Sequence, residues 1–129
     1  MIGQSSRPKV VVVDDDEMQL DLVARQLKLE GFDVLTSPTP FGATNLIAQV
    51  APRVVLLDLN FPTLSGDQLL VLCKKRAPKS TLFVLYSAAD ETTLRELARS
   101  SGANGWISKS SAASELGSRL RALMENHPA

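Results

Sequence analysis

A single cysteine, Cys73, leaves this chain without the partner needed for an internal disulfide and without the thiolates of a zinc site. The lone residue fits a reducing compartment and reads as a small buried hydrophobe on a helix. Excess charge is missing as well. Fourteen Lys and Arg are matched by fourteen Asp and Glu, which excludes the long-range attraction of a basic domain to nucleic acid or anionic lipid. Nor is there an apolar run of about 18 residues that could span a bilayer, and the polar start, Met1 to Pro8, lacks the apolar segment of a secretory signal. These absences predict a soluble, cytoplasmic protein with no membrane segment and no direct contact with nucleic acid. Its 129 residues, 44% of them hydrophobic, suffice for one core and are too few for two ordinary domains. We expect residues 1–8 to be a loose tail, 9–125 the domain and 126–129 a frayed end.

What is present is a row of short apolar runs, each stopping at a polar residue. Val10 to Val13 ends at Asp14-Asp15, Val54 to Leu57 at Asp58, and Leu82 to Leu85 at Tyr86-Ser87; the weaker run Gly105 to Ser108 ends at Lys109. Between them lie segments with helical period. The first carries Leu20, Val23, Ala24 and Leu27 on one face and is stopped by Gly31. Phe32 to Thr36 reads as a strand, and Pro40 to Val50 as a helix with Phe41, Ala43, Leu46, Ile47 and Val50 as its apolar positions, closed by Ala51-Pro52. A loop with Pro62 and Gly66 leads to a helix around Gln68 to Arg76. Asp90 or Glu91 starts another, with Leu94, Leu97 and Ala98 inward and Gly102 past its end. Ser111 is expected to cap the last, whose stripe is Leu116, Leu120, Leu123 and Met124.

Five strands alternating with five helices on short loops imply an α/β fold, a doubly wound parallel sheet with helices on both faces. The runs at 10–13, 54–57 and 82–85 are apolar throughout, as central strands covered on both sides must be, whereas 32–36 and 105–108 are mixed or short and suit the edges. A strand order of 2-1-3-4-5 satisfies this and sets the ends of the first and third strands side by side. With neighbouring strands roughly 4.8 Å apart, the carboxylates of Asp14, Asp15 and Asp58 can converge on one ion, and Lys109 can reach over roughly 10 Å to Asp58. Such a cluster costs Coulomb energy unless a cation compensates it, and hard oxygen ligands suit Mg2+. Helix capping explains Asp16 and Glu17. It does not explain why Asp58 ends the adjacent strand.

Val12-Val13-Asp14-Asp15-Asp16, then Asp58-Leu59-Asn60-Phe61-Pro62-Thr63-Leu64-Ser65-Gly66, then Ser87-Ala88, then Lys109, resemble in order and spacing the receiver domain of two-component response regulators. The resemblance runs over about residues 9 to 125. It implies the flavodoxin-like fold with the same 2-1-3-4-5 order, and a signalling protein rather than an enzyme. It further implies that Asp58 accepts a phosphoryl group from a histidine kinase or histidine phosphotransfer protein. Mg2+ would be bound by Asp15, Asp58 and the backbone carbonyl of Asn60, with Asp14 acting through water. Lys109 would neutralise phosphoryl charge, and Ser87 would hydrogen-bond the group once it has arrived. Trp106 takes the place of the family's aromatic switch residue, on a face formed by the fourth helix, fifth strand and fifth helix, which would serve dimerisation, a downstream protein partner or an output domain.

Two positions depart from the family pattern. Trp106 stands where Tyr or Phe is usual, and its indole N–H needs a partner, so its reading as a switch competes with that of a partly exposed edge-strand residue or interface anchor, flanked by Arg95, Arg99 and Arg119. Ser110 follows Lys109 where the family commonly has a cis proline. A cis bond before serine costs about 3 kcal/mol, which predicts a trans or strained loop and a lysine held differently. Phe61 replaces the commoner Met, and His127, beside Pro128 near the end, is no phosphodonor. Two other classes compete: a phosphorylation-independent interaction module of the same fold, and an Mg2+-dependent phosphohydrolase of the haloacid dehalogenase type. The latter needs a second acid where this chain has Asn60, and usually more chain for a substrate cap.

Overall fold

The computed structural model describes residues 7–58, 66–110 and 113–128. Chain order is β1 (Lys9–Val13), α1 (Glu17–Leu29), β2 (Asp33–Ser37), α2 (Pro40–Val50), β3 (Val54–Asp58), α3 (Gly66–Arg76), β4 (Leu82–Ser87), α4 (Glu91–Ser101), β5 (Gly105–Ser108) and α5 (Leu116–Asn126), the last preceded by a 3-10 turn, Ala113–Glu115. The strands form one parallel sheet in the order β2-β1-β3-β4-β5, as the hydrophobicity of the central three demands.

Alternation along each strand divides the core in two. Val11, Val13, Val55, Leu57, Phe83 and Leu85 face a layer built by α2, α3 and α4, through Ile47, Leu69, Leu70, Cys73 and Leu94. Val10, Val12, Val54, Leu56, Val84 and Ile107 face the other layer, where Leu20, Val23 and Leu27 of α1 meet Leu116 and Leu120 of α5. Cys73 is a packing residue of the first layer, and burial pushes its thiol up to about 11, which keeps it protonated and unreactive near neutrality.

The helices begin and end for local reasons. Asp16 caps α1 by accepting from the amides of Met18 and Gln19, Thr39 caps α2, and Asp90 caps α4 by accepting from Thr93. Gly102 closes α4 at φ 80°, a left-handed conformation that costs glycine nothing. The same conformation closes α2 at Ala51, a non-glycine residue held there ahead of buried Pro52.

Two expectations fail. Phe41 is 83% exposed rather than part of the α2 stripe, because it lies roughly 200° around the helix from Ala43 at 3.6 residues per turn. The last helix starts at Leu116, with Glu115 at its cap position making no side-chain hydrogen bond. Ser111, expected as that cap, lies outside the described residues.

The far end of α5 is tied down by Arg53, whose guanidinium donates to the carbonyls of Ser80 at 3.1 Å and Met124 at 3.1 Å and to that of His127. Carbonyls at a helix end lack the full set of intrahelical donors, so the cation adds a donor at the end of α5 and joins it to the turn at Ser80. Arg53→Met is expected to cost about 1–2 kcal/mol, and amide exchange in the last turn of α5 should accelerate more than in α1. Equal exchange in both helices would refute the clamp.

Candidate functional site

The C-terminal ends of the three central strands put the acidic residues together. Asp58 is the last residue of β3, and Asp14 continues β1, its amide donating to the Ser37 carbonyl at 3.2 Å. Both are 3% exposed, whereas Asp15 is exposed. One carboxylate oxygen from each of the three lies within 4.8 Å of the others. Asp16 turns away to cap α1, so the four-residue acidic run divides between helix capping and the cluster, as expected.

Lys109 supplies the positive charge. Its Nζ is 3.0 Å from Asp14 Oδ2 and 3.7 Å from Asp58 Oδ1. Asp14 uses its other oxygen to accept from the Asp16 amide at 3.0 Å. Partial burial pulls the lysine pKa down, but the hydrogen bond it donates to Asp14 and the fields of Asp58 and Asp14 outweigh it and hold the ammonium above its ordinary value. One ammonium against three carboxylates leaves the cluster under-compensated, so an oxygen-ligated divalent cation fits the donor set on charge and on spacing. Asn60, expected to lend its carbonyl, lies outside the described residues, as do Phe61 and Pro62.

The segment after β5 is fixed without a cis bond, since no described peptide bond is cis. The Lys109 amide donates to the Ser87 carbonyl at 2.8 Å, which extends the β4–β5 pairing by one residue. Ser108 and Ser110 then close a clasp, their hydroxyls 2.7 Å apart and the Ser110 amide 3.2 Å from Ser108 Oγ. The bond before Ser110 is thus trans, as the cost of a cis bond there predicts, and the two serines restrain the loop locally.

Ser87 is buried at the end of β4, and its Oγ accepts from the Ala89 amide at 3.2 Å. This is the geometry of an ST-turn, the common local use of a serine just after a strand. Trp106 is partly buried against the α2–α3–α4 layer, with the Arg95 guanidinium 5.9 Å from its ring centroid. Tyr86, which no motif of the sequence marks, also belongs to this arrangement. Its ring lies under the Lys109 ammonium, 5.4 Å from centroid to Nζ. The signal available in the sequence was its place in the register: if β3 and β4 pair, Tyr86 stands beside Asp58 on the same face.

Similar folds and sequences bear on this arrangement. Chemotaxis protein CheY4 of Vibrio cholerae superposes with a TM-score of 0.81 at 21% identity, over 92% of this chain and 99% of that one. The Francisella response regulator 1452 receiver domain gives 0.79 at 26% identity, over 93% and 98%. A structure named adenylate cyclase, from Rhodopirellula baltica, gives 0.78 at 20% identity, over 94% and 90%, so the fold also occurs under an enzyme's name. Among the described residues, no helix is long and apolar enough to cross a membrane. The family model of the response regulator receiver domain matches residues 10–121, nearly the whole sheet with its helices and every acidic residue of the cluster, and the chain belongs to that family.

Proposed function

We propose that the chain is the phosphoacceptor of a two-component relay, in which Asp58 takes a phosphoryl group from a histidine kinase or histidine phosphotransfer protein. The observation that carries the reading is the placement of Asp58, a buried carboxylate at a strand end, grouped with Asp14 and Asp15 and approached by Lys109. A carboxylate oxygen of Asp58 would attack phosphorus as the phosphorus–nitrogen bond of the donor phosphohistidine breaks, leaving an acyl phosphate here and a free imidazole on the donor. Asp15 and Asp58 would hold Mg2+ with the Asn60 carbonyl, and Asp14 would contribute through water. When bound, the ion supplies positive charge for the phosphoryl oxygens. Lys109 supplies the rest from a fixed position, which is electrostatic work rather than acid–base chemistry.

Ser87 would then donate its hydroxyl to the new phosphoryl group, giving up its local turn, and Trp106 would respond on the α4–β5–α5 surface. The output is docking of a partner, dimerisation or control of an attached domain. The chain in this reading is a signalling switch in the cytoplasm and not an enzyme. A phosphohydrolase of the haloacid dehalogenase type is disfavoured by the match to the receiver family along most of the chain.

Incubation with acetyl phosphate and Mg2+, or with a phosphorylated histidine kinase, is expected to add the mass of one phosphoryl group, mapped to Asp58, and to change Trp106 fluorescence. A chain that gains no phosphoryl group from either donor overturns the reading. Phosphorylation with unaltered fluorescence and unaltered α4–β5–α5 amide shifts would overturn its switching part alone.

A further inference from the structure

To reach Asp58 on β3, the side chain of Lys109 must cross the end of β4, because β4 lies between β3 and β5 in the sheet. Which residue it crosses is set by register. Tyr86 pairs with Asp58 on one side and Ile107 on the other, and Lys109 follows Ile107 by two, so all four side chains point to the α1–α5 face. Tyr86 is therefore the β4 side chain on that face at the level of the site. Its ring packs with the buried cluster of that layer, which fixes it, and the ammonium sits over it at 5.4 Å. That is within the range of a cation–π contact, and the lysine side chain is only 19% exposed, so water screens the contact little.

We infer that Tyr86 is a positioning residue for Lys109. Its ring is the platform that carries the ammonium across β4 to the oxygens at Asp58. The lysine is anchored at both ends in this arrangement: the Ser108–Ser110 clasp and the Ser87 carbonyl hold its backbone, and the ring face and Asp14 hold its head. A long, flexible side chain acts electrostatically only as far as it is held in place. An aromatic face holds a cation without cancelling its charge, as a third carboxylate would. The ammonium therefore stays available when phosphoryl oxygens replace the Asp58 carboxylate as its partner. The inference rests on the phosphoacceptor reading of Asp58.

The test compares the unaltered protein with Tyr86→Phe and with pentafluorophenylalanine at position 86, a ring of similar shape whose face repels cations. Phosphorylation by acetyl phosphate at saturating Mg2+ should run within about two-fold of the unaltered rate in Tyr86→Phe and roughly five-fold slower with the fluorinated ring. The Mg2+ midpoint and the thermal midpoint should be the same in both, which a purely structural role for the ring does not predict alongside the loss of rate. Equal rates with the phenyl and fluorinated rings overturn the platform while leaving the phosphoacceptor reading intact. An unaltered protein that takes no phosphoryl group overturns both. Independently of any rate, the ε-methylene protons of Lys109 should be shifted upfield by the ring current in the unaltered protein and in Tyr86→Phe; ordinary shifts in both refute the platform even if the fluorinated variant does not fold.

Discussion

Replacing Asp58 with asparagine is expected to raise the unfolding free energy in Mg2+-free buffer by about 1–2 kcal/mol while abolishing phosphoryl uptake altogether. Both effects come from the same geometry. Asp58 shares a 4.8 Å cluster with two other carboxylates and has one ammonium near it, 3.7 Å away. At an effective dielectric of about 20, each repulsive pair at such spacing costs about 3–4 kcal/mol before relaxation, and Asp58 takes part in two, against one attraction of similar size. Relaxation and solvent at the exposed Asp15 reduce the net figure to the range given. The amide is nearly isosteric, keeps an oxygen facing Lys109, and cannot act as the nucleophile. Urea unfolding with and without Mg2+ checks the sign. The unaltered protein should be stabilised by the ion as mass action requires, and the variant much less so. A variant less stable than the parent without the ion would show that the Lys109 contact outweighs the crowding.

Phe83→Ala should have the largest effect on stability, a loss of about 3–5 kcal/mol, which is a large part of what a small domain possesses. Phe83 is 2% exposed in the central strand β4 and belongs to the cluster beneath α2, α3 and α4. Its amide also donates to Asn104 Oδ1 at 2.8 Å, and its carbonyl accepts from the Asn104 amide at 2.8 Å, so the strand is pinned to the turn before β5 on both sides of this residue. Those backbone contacts limit collapse into the cavity that alanine would leave. Chemical denaturation followed by Trp106 fluorescence and by far-ultraviolet dichroism should give coincident transitions at lower denaturant. A cost below about 1 kcal/mol would mean that the core repacks freely around position 83.

The architecture was legible because the apolar runs differ in kind. Val10 to Val13, Val54 to Leu57 and Leu82 to Leu85 admit no solvated face, and this alone sorts central strands from edges and limits the order of the sheet. The acidic cluster was legible for a related reason: a carboxylate directly after a wholly buried strand has no local use. Tyr86 was not, because a pair separated by 23 residues becomes a contact only once register and facing are known. The clasp of Ser108 and Ser110 was hidden behind the missing proline, since its hydrogen bonds depend on a backbone path that composition does not specify. Phe41 misled for the opposite reason. A large aromatic residue near a helix start counts as apolar in any tally, yet its angular position points it to solvent. The placement of the cap before α5 failed because a 3-10 turn intervenes, so the helix starts later than the serine pattern suggests.

The alternation that divides the core also sets how a change of charge can be felt elsewhere. Even-numbered residues of β1, β3 and β4 look toward α1 and α5, the side on which Asp58, Lys109 and the ring of Tyr86 lie. Ser87 and Ala89 belong to the opposite parity, with Phe83 and Leu85, and so does the ring of Trp106. The peptide unit joining residues 86 and 87 thus has one neighbour facing the α1–α5 layer and the other facing the α2–α3–α4 layer. Inserting a single residue into β4 ahead of this unit would invert the wiring: the aromatic platform would turn toward α4 and the hydroxyl toward α1. The length of that strand is therefore under a constraint of even and odd, independent of which side chains fill it.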